Sequence, residues 1–242
     1  MRTVVRRSII FDIARFALFV GAQFASVKEI RKMKVILVNG SSHANGTTMR
    51  AIAEMEKTFA SGGIETQVIQ LGGSPVRDCI QCNSCRKTGE CVFKDDGVND
   101  FVRAASSADG FVFATPVYYA HASGRLLSFL DRAFYSSAGY KEFKFKPGAA
   151  VAVLRRAGAT AAIDDITKYF GIAQMPVTGS TYWNTVYGID AEEAEVDAEG
   201  LETLRNLASN MIWMMRCFKA GRDAGVELPK TEKTAVTGFI RR

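Results

Sequence analysis

Residues Met33–Thr48 read MKVILVNGSSHANGTT. Val35 to Val38 is an unbroken apolar run without alternation, the pattern of a strand buried on both faces of a parallel sheet. The run gives way to Asn39-Gly40-Ser41-Ser42, turns again at Asn45-Gly46, and Thr47-Thr48 open a helical stretch that continues through Ala60. Strand, polar loop and helix N-terminus in that order create a place for an anion, because the first helical turn offers unpaired N–H groups and the positive end of the dipole. The glycines let the backbone turn tightly enough for those groups to converge. An ordinary βα loop capped by hydroxyl residues has the same composition. Neither G-x-G-x-x-G nor G-x-x-x-x-G-K-[ST] is present, which disfavours dinucleotide and NTPase readings. A short, lysine-free loop of this kind suits a monophosphate that needs no magnesium.

Downstream, the helix carries Met49, Ile52, Ala53, Met55 and Phe59 on one stripe and stops at Gly62-Gly63. Ile64–Leu71 alternates as a second strand, and Asp95–Ala105 contains a short helix. Gly110–Thr115 is a third strand ending at Pro116, and Ser123–Tyr135 a helix with Leu126, Leu127, Leu130 and Phe134 inward. Ala149–Leu154 is predicted as the fourth strand, Ala161–Phe170 as its helix, and Ile172–Val177 as a fifth strand at an edge because Pro176 interrupts it. Five strands with intervening helices predict an α/β fold with a doubly wound five-stranded parallel sheet, of flavodoxin-like order since the glycine fingerprint is missing. Leu201, Leu204, Ala208, Met211, Met215 and Phe218 recur at three and four, predicting an added C-terminal helix that ends near Gly221. The expected organisation is an N-terminal extension at 1–32, a domain at 33–221 and a tail at 222–242.

Upstream, residues 1–32 hold seven basic and two acidic side chains, so about five of the chain's formal +6 charges lie there and the body is near neutral. That placement gives no nucleic-acid surface on the folded body. Ser8–Val27 is apolar but interrupted by Asp12 and Arg15, which makes it a poor membrane span and a poor secretory signal. An amphipathic surface helix is an alternative, and an extension dispensable for the fold, or an incorrectly assigned start, is the plainer expectation. The 242 residues, 48% hydrophobic, suffice for a full core. The cysteines do not form a framework spread over a small secreted chain, so a reducing, cytoplasmic compartment is expected.

Four of the five cysteines, Cys79, Cys82, Cys85 and Cys91, form C-x-x-C-x-x-C-x5-C. Three thiolates within seven residues wrap a compact centre and a fourth closes it, which suits a [4Fe-4S] cluster. Structural zinc more often uses two separated C-x-x-C knuckles, and free thiols or a disulfide pair remain the bland reading. Only His43 and His121 are available, and neither H-E-x-x-H nor G-x-S-x-G occurs, so hydrolytic and metal-dependent readings lack their residues.

The loop resembles that of the flavodoxin-like NAD(P)H-dependent FMN reductases, in which G-S-x-x-x-N-G-x-T after the first strand holds the FMN phosphate. The resemblance assigns Ser41, Ser42, Asn45, Gly46, Thr47 and Thr48 to the phosphate. It implies that Thr115-Pro116-Val117-Tyr118-Tyr119 lines the flavin, with Pro116, Val117, Tyr118 and Tyr119 beside the ring, together with a helix bearing Asp131-Arg132. Arg155-Arg156-Ala157-Gly158 resembles a loop that packs near the ring, where positive charge tunes a flavin's potential. The cysteine spacing is similar to that of the iron-sulfur flavoprotein branch, whose cluster sits beside FMN. The resemblance covers Met33 to about Gly221. It implies an enzyme that takes a hydride from NAD(P)H onto FMN and passes electrons to a small-molecule acceptor such as a quinone, a flavin or an azo or nitro compound. The competing implication is an electron-transfer protein fed by ferredoxin. A homodimer or homotetramer is expected, with Trp183, Tyr187 and the methionine-rich helix as apolar contact material.

Overall fold

The structure, a computed structural model, describes residues 31–137, 141–232, 234–235 and 237. The expectations for the N-terminal extension lie outside the described residues. From Met33 onward the chain forms one unit. Its elements are β1 (Lys34–Asn39), α1 (Thr47–Ser61), β2 (Glu65–Gln70), α2 (Cys85–Thr88), α3 (Val98–Ala105), β3 (Gly110–Tyr118), β4 (His121–Ala122), α4 (Gly124–Ser136), β5 (Gly148–Leu154), α5 (Ala159–Ile172), β6 (Thr185–Tyr187), α6 (Ala191–Val196) and α7 (Ala198–Asp223).

Five strands pair in parallel in the order β2-β1-β3-β5-β6, and β4 folds back antiparallel on the end of β3. This is the doubly wound, flavodoxin-like α/β fold. Alternation along each strand sends neighbouring residues to opposite layers. Val35 and Leu37 of β1 pack with Ala51, Ile52, Met55 and Phe59 of α1 and with Leu204, Leu207, Met211 and Met215 of α7. Ile36 and Val38 pack with α3, α4 and α5 instead. That second layer is rich in phenylalanine: Phe101 lies 5.1 to 6.1 Å, centroid to centroid, from the rings of Phe111, Phe113, Phe129 and Phe143.

The fifth strand is not where the sequence pattern puts it. Helix α5 runs on through Ile172, Gln174 turns the chain in the left-handed region (φ 57°), and Pro176 has no N–H to give. Only an isolated bridge joins Val177 to Gly148. The strand position is taken by Thr185–Tyr187, three residues paired with Ala152–Leu154. The acidic stretch after it becomes α6, capped by Asp190, and Asp197 caps α7.

Candidate functional site

In an open parallel sheet, ligands bind outside the carboxyl ends of the strands where the strand order reverses. Here that point lies between β1 and β3, and a crevice of about 840 Å³ opens there. The volume lies within the range of cofactor pockets. It is lined by the whole of Ser41–Thr48 together with Pro116, Val117, Tyr118, Val153, Leu154 and Arg155.

The loop from β1 to α1 is held by its neighbours' side chains. Asn39 is fully buried; its Oδ1 accepts from the Ser41 N–H at 3.0 Å and its Nδ2 donates to Gln70 Oε1 at 2.6 Å. Gln70 in turn donates to the Ser41 carbonyl at 2.7 Å, and Ser41 Oγ accepts from the His43 N–H at 3.1 Å. Across the loop, Gly40 N–H donates to the Ala114 carbonyl (2.8 Å) and Ser123 Oγ donates to the Gly40 carbonyl (2.9 Å). The start of α1 has no side-chain cap and no acidic residue in its first turn. Its positive end is therefore left to whatever anion enters the crevice.

Of the residues expected at the ring, Pro116, Val117, Tyr118 and Arg155 line the crevice, whereas Tyr119, Arg156, Ala157 and Gly158 stand outside it. Tyr119 is wholly exposed because the β3–β4 turn puts both Tyr119 (φ 50°) and Ala120 (φ 62°) in the left-handed region, throwing the ring outward. Gly158 (φ 97°) packs under that turn: a Cβ on it would come within 2.4 Å of the Ala120 Cα. Its part is to let the 155–158 loop and the 119–120 turn meet. Sequence reasoning did not find Val153, Leu154 and Gly188–Ala191, which also line the crevice. Gly188 N–H donates to the Leu154 carbonyl at 3.0 Å, so the loop after β6 is tied to the end of β5.

The four clustered cysteines face a second, small cavity shared with Phe93, Arg132 and Tyr135, and the two cavities have no lining residue in common. All four thiols are free; Cys79 and Cys82 are exposed, Cys91 half-buried and Cys85 buried. Gln81 (φ 53°) and Asn83 (φ 58°) adopt left-handed conformations in the loop between the first three cysteines. The backbone N–H of Ser84 holds the Cys82 thiol below its ordinary pKa, whereas burial pushes the Cys85 thiol up. Among the described residues no group of three or more His, Cys, Asp or Glu side chains is placed to hold a metal ion. Asp131 and Arg132 do not line the crevice. Asp131 accepts from the Tyr169 hydroxyl, and Arg132 is buried against the cysteine segment, where it pairs with Asp96.

The model of the NADPH-dependent FMN reductase family matches residues 33–189. The chain belongs to this family. Among its relatives, an iron-sulfur flavoprotein of Methanocaldococcus jannaschii is 33% identical over 194 residues, covering 77% of this chain and all of that one. The iron-sulfur flavoprotein of Methanosarcina thermophila is 26% identical over 193 residues, covering 79% and 100%. Solved structures share the fold: a flavone reductase superposes with a TM-score of 0.60 at 16% identity, over 77% of this chain and 64% of the other. An NADH:FMN oxidoreductase does so with a TM-score of 0.55 at 17% identity, over 75% and 89%.

The chain belongs with the iron-sulfur flavoproteins as well, and it is an FMN-dependent NAD(P)H oxidoreductase. FMN supplies hydride and single-electron chemistry when bound; the protein's share is to hold and orient it and to set its electrostatics. No described helix is long and apolar enough to cross a membrane.

Proposed function

We propose that the protein binds FMN with its phosphate among Ser41, Ser42, Asn45, Gly46, Thr47 and Thr48 and its ring between Pro116-Val117-Tyr118 and Arg155, and that it passes electrons from NAD(P)H to a small acceptor such as a quinone, a flavin or an azo or nitro compound. The observation that carries this reading is the joining, in one crevice at the strand-order reversal, of an uncapped helix N-terminus with an aromatic and a cationic side chain, Tyr118 and Arg155. Backbone N–H groups and hydroxyls at the start of α1 neutralise a phosphate. Tyr118 offers a π-face at the mouth, and the Arg155 guanidinium brings positive charge toward the ring. No acid–base pair is needed where the flavin carries the chemistry. The crevice is open enough for donor and acceptor to use one face in turn.

Titration of flavin-free protein with FMN and with riboflavin, read by fluorescence quenching, tests the assignment. FMN is expected to bind at least about tenfold more tightly, which corresponds to about 1.4 kcal/mol from the phosphate, and Thr48→Ala is expected to narrow the gap. Equal affinities, or no quenching by either flavin, would remove the phosphate site.

A second reading is favoured by the cysteine cavity. In this alternative reading Cys79, Cys82, Cys85 and Cys91 hold a [4Fe-4S] cluster and the protein acts as an electron carrier fed by ferredoxin. Four cysteines lining one cavity supply the four thiolates that a [4Fe-4S] cube takes, one at each iron. Such a cluster supplies one-electron chemistry. From Ser123, which holds Gly40, to Arg132, beside the cysteines, is nine residues of α4, roughly 14 Å at the helical rise. Iron and acid-labile sulfide at about four of each per chain support the cluster; zinc without sulfide replaces it. The exposed apolar side chains Tyr182, Trp183, Tyr187, Ile189 and Val196 support a homodimer or homotetramer, and a monomer on sedimentation would reject that. A cytoplasmic location is part of this proposal, supported by the clustering of four of the five cysteines between 79 and 91 instead of a disulfide framework spread over the chain.

A further inference from the structure

Arg132 is among the largest fully buried side chains of the described residues. Its guanidinium reaches from α4 into the cysteine segment and uses all five of its N–H groups. Nε donates to Cys91 Sγ at 3.2 Å, Nη1 to the Arg77 carbonyl at 3.2 Å and Nη2 to the Phe93 carbonyl at 3.3 Å. Both terminal nitrogens also donate to the Asp96 carboxylate, Nη2 at 3.0 Å. The Phe93 ring, which lines the cysteine cavity, has the Arg132 guanidinium 5.0 Å from its centroid and that of Arg77 also at 5.0 Å. The charge of Arg132 is matched by Asp96, yet the one nitrogen turned away from that carboxylate is spent on sulfur. A loop could be stapled by carbonyl contacts alone. A charged N–H aimed at a ligand sulfur has an electronic consequence as well, because hydrogen bonds to the sulfurs and local charge set a cluster's potential.

We propose that Arg132 is a positioning residue for the cysteine site, fixing Cys91 and raising the one-electron reduction potential of the iron-sulfur group held there. The inference rests on the [4Fe-4S] reading of Cys79, Cys82, Cys85 and Cys91. Positive charge and an N–H donor beside Cys91 stabilise the extra negative charge of the reduced group, and Asp96, on the far side of the guanidinium, opposes them.

The test is a redox titration of the full chain, purified anaerobically and followed by electron paramagnetic resonance, with iron and sulfide counted in each sample. Arg132→Gln is expected to lower the midpoint potential by about 59 mV, a tenfold loss of preference for the reduced form in a one-electron couple. Arg132→Lys, which keeps the charge but not Nε–H, should lower it by less. Asp96→Asn should raise it. A merely structural role does not produce opposite signs in the two partners. If Arg132→Gln does not fold, the Lys and Asn variants carry the comparison. A loaded protein whose potential is unmoved by these substitutions, or moves the same way for Arg132→Lys and Asp96→Asn, overturns the role of Arg132 alone. Unaltered protein without iron and sulfide overturns the cluster reading and this inference with it.

Discussion

Replacing Gly40 by alanine tests whether the phosphate loop is held by backbone contact with β3 and α4. A Cβ at Gly40 would stand 2.9 Å from the Ala114 carbonyl oxygen and 3.0 and 3.1 Å from Cβ and Cδ2 of the fully buried Leu126. The first is strand backbone and the others belong to a packed side chain, so the loop itself must move outward. That movement stretches the bonds that fix it, Gly40 N–H to Ala114 and Ser123 Oγ to Gly40, now 2.8 and 2.9 Å. Overpacking costs about 1–3 kcal/mol, and weakening the two hydrogen bonds adds about 1 kcal/mol. The flavin-free protein is therefore expected to lose about 2–4 kcal/mol. FMN affinity should fall about tenfold for each 1.4 kcal/mol that reaches the phosphate site. Gly46→Ala is the control. Its Cβ would meet only the exposed His43 side chain, at 3.2 Å, and its expected cost is within about 1 kcal/mol. Urea unfolding gives the stabilities and fluorescence quenching gives the affinities. A Gly40→Ala protein no less stable than the Gly46→Ala protein would refute the reasoning.

Ser123→Ala removes both the cap of α4, where Ser123 Oγ accepts from the Leu126 N–H at 3.3 Å, and the tether on Gly40; about 1–2 kcal/mol should be lost, with weaker FMN binding, and unchanged affinity would show that the tether does not shape the loop. Phe101→Ala should cost about 3–5 kcal/mol by urea unfolding, because four aromatic rings surround Phe101; a loss below about 1.5 kcal/mol, the usual upper limit for volume-conserving core swaps, would mean that the layer repacks freely. Burial, and then Asp131, push the Tyr169 hydroxyl above its usual pKa, so its contribution to stability is complete below about pH 10, where the unfolded chain titrates, and is lost as pH rises toward the folded value. Tyr169→Phe should accordingly be less stable by about 1 kcal/mol at neutral pH, the gap to the unaltered protein closing in alkali; a gap independent of pH would contradict this.

How far the sequence could be read depended on whether a feature is local. The continuous apolar run of β1, the glycine-rich turn and the start of α1 are contiguous, and their strand–loop–helix order stands. The fifth strand was misplaced because the short, largely apolar stretch at 172–177 has the composition of a buried strand. The real one has three residues, too few to show a period, and is selected by its register with Ala152–Leu154. For the same reason the Gly188–Ala191 wall of the crevice was invisible, since it depends on a bond to the end of β5. Tyr119 was legible as an aromatic in the right loop, but its outward direction comes from two consecutive positive φ angles. Arg132 was expected on a helix lining the flavin; its actual partners lie 36 to 55 residues away in sequence, around the cysteine segment.

Anaerobic mixing of FMN-loaded protein with NADPH and with NADH, followed by flavin absorbance in a stopped-flow instrument, tests the central claim most directly. The account predicts rapid bleaching by at least one nicotinamide, restored on adding a quinone. Flavin left oxidised by both nicotinamides, yet bleached by reduced ferredoxin, would contradict it.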